Sequence, residues 1–246
     1  QEENRVRNNG PFWEPGAFGG YLVIAYIFNT IREKKLLGKI NILFIIAIIS
    51  TQSTTAYLAL FAFIVCYIFF EDYSYAVKSL IIVFGVAGYV AFQTIPFLGD
   101  KIREENKGAK DAIEEVGGDT RMASAILDWD DIKGYPFSGR GLWPETRVDK
   151  KFEYVIRNNG FTNFIATWGI LFFFFYFYWY YKGFSEFCRI YGASYYIPIV
   201  MLLIIWLLSF SENYFDSSFF WAFVFIGIPL KNVFYDEEIE DNNNLS

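Results

Sequence analysis

The chain has no histidine, so imidazole is excluded as acid, base and metal ligand. Its two cysteines, Cys66 and Cys188, stand too far apart in sequence for a disulfide framework or a metal cluster. A zinc site would need carboxylates and thiols at spacings the chain does not supply. What remains are arginines that grip anions and carboxylates that accept protons. Arg7 lies shortly before a long apolar run, and Glu14 stands beside Pro15 at the foot of that run. Arg121 opens a predicted helix inside a charged segment, and Glu212 follows the end of another apolar run. An arginine at a helix N-terminus adds its fixed charge to the positive end of the helix dipole, an arrangement suited to holding phosphate.

The elements that must position these groups are apolar. Of 246 residues, 54% are hydrophobic, 22% aromatic and 20% charged, more aromatic surface than a soluble domain of this size can hide. Residues 15–31, 40–70, 79–99, 158–181, 190–211 and 217–230 carry no charge and make up just over half the chain. A bilayer core about 30 Å thick takes ~20 such residues per helix. The expected fold is an all-α polytopic membrane protein. Soluble enzymes, nucleic-acid binders and disordered chains are excluded, and continuous runs argue against the alternation of a β-barrel. Seven spans are predicted, at about 15–32, 36–51, 54–71, 77–97, 160–181, 194–211 and 216–231. The polar stretch Ser50–Thr55 divides the 31-residue run into two helices, or alternatively breaks one helix around a cavity.

Sidedness follows from Lys and Arg in short loops. Arg32, Lys34, Lys35 and Lys39, then Lys78, Lys182, Arg189 and Lys231, fall on one side by alternation, while loops 50–54 and 212–216 have no basic residue. The basic side is expected to be cytoplasmic, which puts segment 98–159 outside with its eleven Lys/Arg and thirteen Asp/Glu. Within it, Gly117-Gly118 separates a charged helix from a second one over about 121–133, capped by Asp119 or Thr120 and ended by Gly134 and Pro136. Met122, Ile126 and Trp129 recur at i, i+4 and i+7, an apolar face expected to lie against the membrane or cap the bundle. Asp128, Asp130 and Asp131 are then its polar face. The net charge of −6 is local: Asp236, Glu237, Glu238, Glu240 and Asp241 crowd a tail, 232–246, that reads as disordered and cytoplasmic. Residue 1 is Gln and no signal peptide precedes the first span, so the chain reads as the C-terminal part of a longer protein.

Three segments together resemble the O-antigen polymerase and O-antigen ligase superfamily of membrane glycosyltransferases. Arg7-Asn8-Asn9-Gly10-Pro11-Phe12-Trp13-Glu14-Pro15-Gly16 is similar to an R-x-x-G-x-F-x-[EN]-P signature before a span. Arg121, Tyr135-Pro136-Phe137 and Gly139-Arg140-Gly141 resemble an Arg opening a helix followed by an apolar-plus-Pro step and G-x-G. Asn158-Asn159-Gly160-Phe161 with Trp168-Gly169-Ile170 is similar to H-N-x-[YF] leading into a span with a Gly ten residues after the Asn. Ligases carry His where this chain has Asn158, so the resemblance favours polymerase over ligase.

The resemblance implies a GT-C-like bundle of the bacterial inner membrane that polymerises O-antigen or capsule repeat units from a polyprenyl-diphosphate-linked oligosaccharide. It implies no metal and no cofactor, the bilayer as partner, and room for a chain-length regulator protein. Arg7 and Arg121 are the implied diphosphate ligands or, more plainly, snorkel at the interface, and Glu14 is the first-choice base or, as readily, pairs with Arg7 or caps the following helix. Glu212 is the alternative, with a solvated turn as its plainer reading. Arg140, Asn158, Asn159 and Trp13 are implied substrate contacts. Trp13, Trp143 and Trp168 are placed to stack on sugars or, more plainly, to anchor at the interface. Asp128-Trp129-Asp130 reads as the D-x-D of soluble glycosyltransferases, but a nucleotide donor has no place on the outer face. The aromatic stretch Phe172–Tyr181 shows no polar face and is expected to contact lipid. Rival readings are ligase-type transfer to a lipid or protein, and a transporter or flippase. The latter would place paired charges inside spans, where this chain has almost none.

Overall fold

The computed structural model describes residues 7–83, 121–143 and 159–227. Within them the chain is helical: α1 (Pro15–Glu33), α2 (Lys39–Thr51), α3 (Thr54–Phe70), α4 (Arg121–Gly134), α5 (Gly160–Ile190), α6 (Ile197–Ser209), a 3-10 turn over Tyr214–Asp216, and α7 (Ser218–Phe225). Residues 75–83 are also helical. No strand occurs among the described residues. The rest of the predicted fourth span, the loop segments 98–120 and 144–158 with Gly117, Gly118, Asp119, Thr120 and Asn158, and the tail 232–246 lie outside the described residues.

Helices therefore occupy most of the described parts of the apolar runs, in an all-helical architecture compatible with a membrane protein. α5 alone among the described helices has the length and apolarity of a full crossing, while α2, α3 and α6 are apolar but shorter. α5 also corrects the expected boundary. It runs on past Tyr181 to Ile190, so Lys182 and Cys188 sit in a helix rather than a loop, with Cys188 buried against Met201 at Sγ–Sδ 3.9 Å.

The chain divides into two compact units, the boundary falling within α5. The first comprises Gln1–Glu71, Tyr176–Leu208 and Asp216–Ser246. Its hydroxyls and amides close the tight connections. Ser50–Thr55 forms a turn between two helices, as the first of the two alternatives required. Gln52 takes a left-handed conformation, Thr51 Oγ1 accepts from Ser53 N at 3.2 Å, and Ser53 Oγ caps α3 by accepting from Ala56 N at 3.3 Å. At the other end of α2, buried Asn41 donates to Thr30 Oγ1 (2.9 Å) and Lys35 O (2.6 Å) and accepts from Asn29 Nδ2 (2.8 Å), which ties α2 to α1. Gly19 lets α1 approach α3 closely, since a Cβ there would meet Ala56 Cβ at 2.8 Å.

Rings fill the remainder of this unit. Phe28 of α1 packs on Phe184, Phe187 and Phe223, and Tyr176 packs on Trp221. The aromatic stretch of α5 does have a polar inner stripe, contrary to expectation. Tyr176 and Tyr180 are buried and share a hydroxyl–hydroxyl bond of 3.2 Å, and the Tyr180 hydroxyl donates to Phe220 O. A buried hydroxyl needs such a partner. Tyr178, Phe174 and Phe175 point outward.

Replacing Asn41 by Ala strands the buried Thr30 hydroxyl and two part-buried groups, Lys35 O and Asn29 Nδ2, and its expected cost is about 2 kcal/mol. Thermal unfolding of the purified protein in detergent should show the loss, while Asn9→Ala, on an exposed turn, leaves the midpoint in place.

Candidate functional site

The first motif builds a turn. Gly10 has φ +52°, donates its N–H to Asn8 Oδ1 at 3.0 Å, and lies so close to Phe18 that a Cβ would meet the ring at 2.9 Å. Phe12 N donates to Asn9 O at 2.9 Å and the Phe12 ring stacks on Tyr21 at 4.6 Å. The Arg-x-x-Gly spacing thus sets Arg7 beside the end of α2. Its Nε donates to Thr51 O (3.3 Å) and its Nη2 to Gln52 O (2.9 Å), a cation on the negative end of a helix. Asn8 reinforces the contact through Ser50, backbone to backbone at 3.2 Å and Nδ2 to Oγ at 2.9 Å. Glu14 occupies the N-cap position of α1 without a side-chain capping bond, and Trp13 is exposed.

The second unit comprises Asp72–Phe175 and Ser209–Phe215, and it holds the other candidates. Buried polar residues concentrate here: Ser124, Asp128 and Asp131 on α4, Asn159, Asn163 and Thr167 at the start of α5, and Ser209, Ser211 and Glu212 after α6. In so apolar a chain, buried polar groups require partners. Asp128 accepts from Thr162 Oγ1 at 2.7 Å, and Asp131 pairs with Arg140 at 3.4 Å. Arg121 donates from Nε to Ser211 O at 3.1 Å, and its Nη2 lies 3.7 Å from Glu212 Oε1. Glu212 is buried, so the solvated-turn reading fails: the carboxylate turns inward to the guanidinium.

α4 turns its predicted apolar face outward rather than onto the bundle. Its buried stripe is Ser124, Asp128 and Asp131 at i, i+4 and i+7, with Ala123 and Ile132, while Trp129 is 57% exposed and Met122 and Ile126 also face outward. The carboxylates win the inside because Thr162 and Arg140 meet them there. Small Ser124 and Ala123 keep that face flat.

Asn159 caps α5, its Oδ1 accepting from Thr162 N at 3.1 Å. The side chain is fully buried and its Nδ2 makes no hydrogen bond. Gly160 follows because the chain at Glu212–Asn213 lies on it, and a Cβ would meet Asn213 Cα at 2.8 Å. Asn159, Gly160, Arg121 and Glu212 are therefore neighbours around one stretch of backbone, 211–213. Asn158 lies outside the described residues.

The G-x-G segment locks a break in α5. Gly169 has φ 78°, ψ 167°, open only to glycine, and interrupts the helical ladder. The loop supplies the missing partners: Arg140 N donates to Ala166 O (2.8 Å), Gly141 N to Thr167 O (2.9 Å), and Ile170 N to Pro136 O (2.8 Å). Gly139 and Gly169 meet backbone to backbone, since a Cβ on either would stand 2.6 Å from the other's nitrogen. Arg140 completes the lock by stacking on Tyr135, its Cζ 5.2 Å from the ring centroid.

The structure thus brings together Arg121 and Asn159, with Arg140 in the same unit, and adds Glu212, Asp128 and Thr162. Arg7, Trp13 and Glu14 belong to the other unit. Among the described residues no group of three or more His, Cys, Asp or Glu is arranged to hold a metal ion. Comparison with protein families, curated proteins and solved structures finds no match to this chain.

Gly169→Ala and Gly139→Ala strike the same contact. Each is expected to cost about 3 kcal/mol, and the double variant should cost much less than the sum of the two. Unfolding midpoints of the three variants in detergent measure this coupling, and simple additivity would mean the two glycines act separately.

Proposed function

We propose that this chain is the catalytic part of a polytopic membrane glycosyltransferase that extends a polysaccharide from a polyprenyl diphosphate donor, with seven crossings and segment 98–159 on the outer face. The observation that supports it best is the placement of Arg121. It is a partly exposed arginine at the start of a helix, beside a buried polar cluster and against a buried carboxylate. Such a group holds an anion with little reorganisation.

In this reading the sugar C1–oxygen bond to the diphosphate breaks, and the electron pair leaves with the phosphate oxygen. The acceptor hydroxyl oxygen bonds to C1 from the opposite face. Its proton passes to a carboxylate. Arg121 meets the charge growing on the diphosphate with its planar fork. Arg7, the other motif arginine, belongs to the other unit and spends two N–H groups on the end of α2. Glu212 is the proton acceptor in this reading, because it shares a unit and an ion pair with Arg121. Polymerase is preferred to ligase on the resemblance already described, with Asn158 in place of His.

The test is made in cells carrying the gene at its native locus. With membrane insertion verified, Arg121→Ala and Glu212→Gln should each abolish the ladder of glycan chain lengths on a gel, while single-unit glycan still reaches its final acceptor. Glu14→Gln should keep the ladder. A full ladder from Arg121→Ala would remove the diphosphate assignment, and loss of single-unit transfer would indicate a ligase.

A further inference from the structure

The segment after α4 combines two properties that rarely coincide in a loop. Part of its backbone is satisfied by protein: Tyr135 N donates to Asp131 O (3.1 Å) and Gly139 N to Tyr135 O (3.0 Å), in addition to the three bonds that join the loop to the break in α5. Its side chains nevertheless face outward and are mostly apolar, the exception on the surface being Ser138, whose hydroxyl donates to Gly139 O at 3.3 Å. Phe137 is 65% exposed and Leu142 61%, with Tyr135 and Pro136 also on the surface. The one charge, Arg140, is turned inward onto Asp131 and over the Tyr135 ring. In water such a loop would expose its rings for nothing. Non-helical backbone within a bilayer needs protein partners for its polar groups, and the five bonds above supply them at Tyr135, Pro136, Gly139, Arg140 and Gly141.

The surroundings identify the occupant. The loop is bonded to α5 at Ala166, Thr167 and Ile170, and the next outward residues of α5 in the same unit are Leu171, Phe174 and Phe175. The apolar surface of the loop is therefore continuous with the apolar surface of the one described helix long enough to cross a membrane. On α4, the exposed Met122, Ile126 and Trp129 alternate with exposed Asp130 and Lys133, the latter 6.0 Å from the Trp129 ring centroid. That mixture suits a headgroup boundary.

We infer that residues 135–142 form a re-entrant segment that enters the phospholipid bilayer beside α5, with α4 lying along the interface. The inference rests on reading the chain as a membrane protein and is independent of any enzymatic activity.

Nitroxide labels test it. With Cys66 and Cys188 replaced by Ala, single labels are placed by Phe137→Cys, Leu142→Cys, Leu171→Cys and Asp130→Cys in phosphatidylcholine–phosphatidylglycerol proteoliposomes. All four positions are exposed, so folding is preserved. Labels at 137 and 142 should match 171, with an oxygen-to-nickel-chelate collision ratio several-fold above that at 130. If 171 reads as lipid while 137 and 142 read as water, the re-entrant segment is refuted and the membrane reading stands. If 137 and 142 are shielded from both relaxers, the loop is covered by protein, a second copy included, and the inference falls. If 171 also reads as water, both fall.

Discussion

The structure depends on how backbone groups are satisfied where an apolar helix is broken. At Gly169 the i to i+4 ladder of α5 fails, and Ala166, Thr167 and Ile170 are left without helical partners. In an interior with few waters each such group costs on the order of 1–3 kcal/mol. The loop Pro136–Gly141 answers all three at once. It does so only because Gly139 and Gly169 both lack side chains, with φ of 68° and 78°. Once the loop is seated, α4 is seated as well, because Arg140 in the loop pairs with Asp131 on that helix. The buried acidic stripe of α4 then turns toward the start of α5, where Thr162 meets Asp128.

The same logic governs the other unit at smaller scale. Arg7 and Asn8 cover the end of α2, Asn41 covers its beginning, and Ser53 starts α3. Among the described residues, these polar side chains close helix ends. Two further residues differ from them. Asn159 spends its oxygen on a cap and has a buried amide with no hydrogen bond, and Arg121 keeps an exposed guanidinium beside a buried carboxylate.

How much of this was legible in the sequence differs by feature. Helices in the uncharged runs were legible, because burial and apolarity act over many residues. The division at Ser50–Thr55 was legible too, since six polar residues in an apolar run must end a helix. The break at Gly169 was not. A single glycine in an apolar stretch usually stays helical, and its conformation here is set by a loop some thirty residues earlier. The end of α5 was misjudged because Lys182 looked like a loop residue, although one lysine near a helix end extends its head to water at little cost.

The orientation of α4 shows why periodicity names faces without ranking them. Met122, Ile126, Trp129 and Ser124, Asp128, Asp131 are two stripes of equal spacing on one helix. In a soluble domain apolarity alone would put the first inside. Here the second stripe is the buried one, because Thr162 and Arg140 meet its carboxylates. Glu212 was misread for the same reason. A glutamate between Ser and Asn at the end of an apolar run reads as a wet turn, unless a guanidinium from elsewhere in the chain reaches it. Arg121 does, ninety-one residues earlier in sequence. The features that make this molecule more than a bundle of apolar helices therefore come from pairings between distant segments, which local composition does not encode.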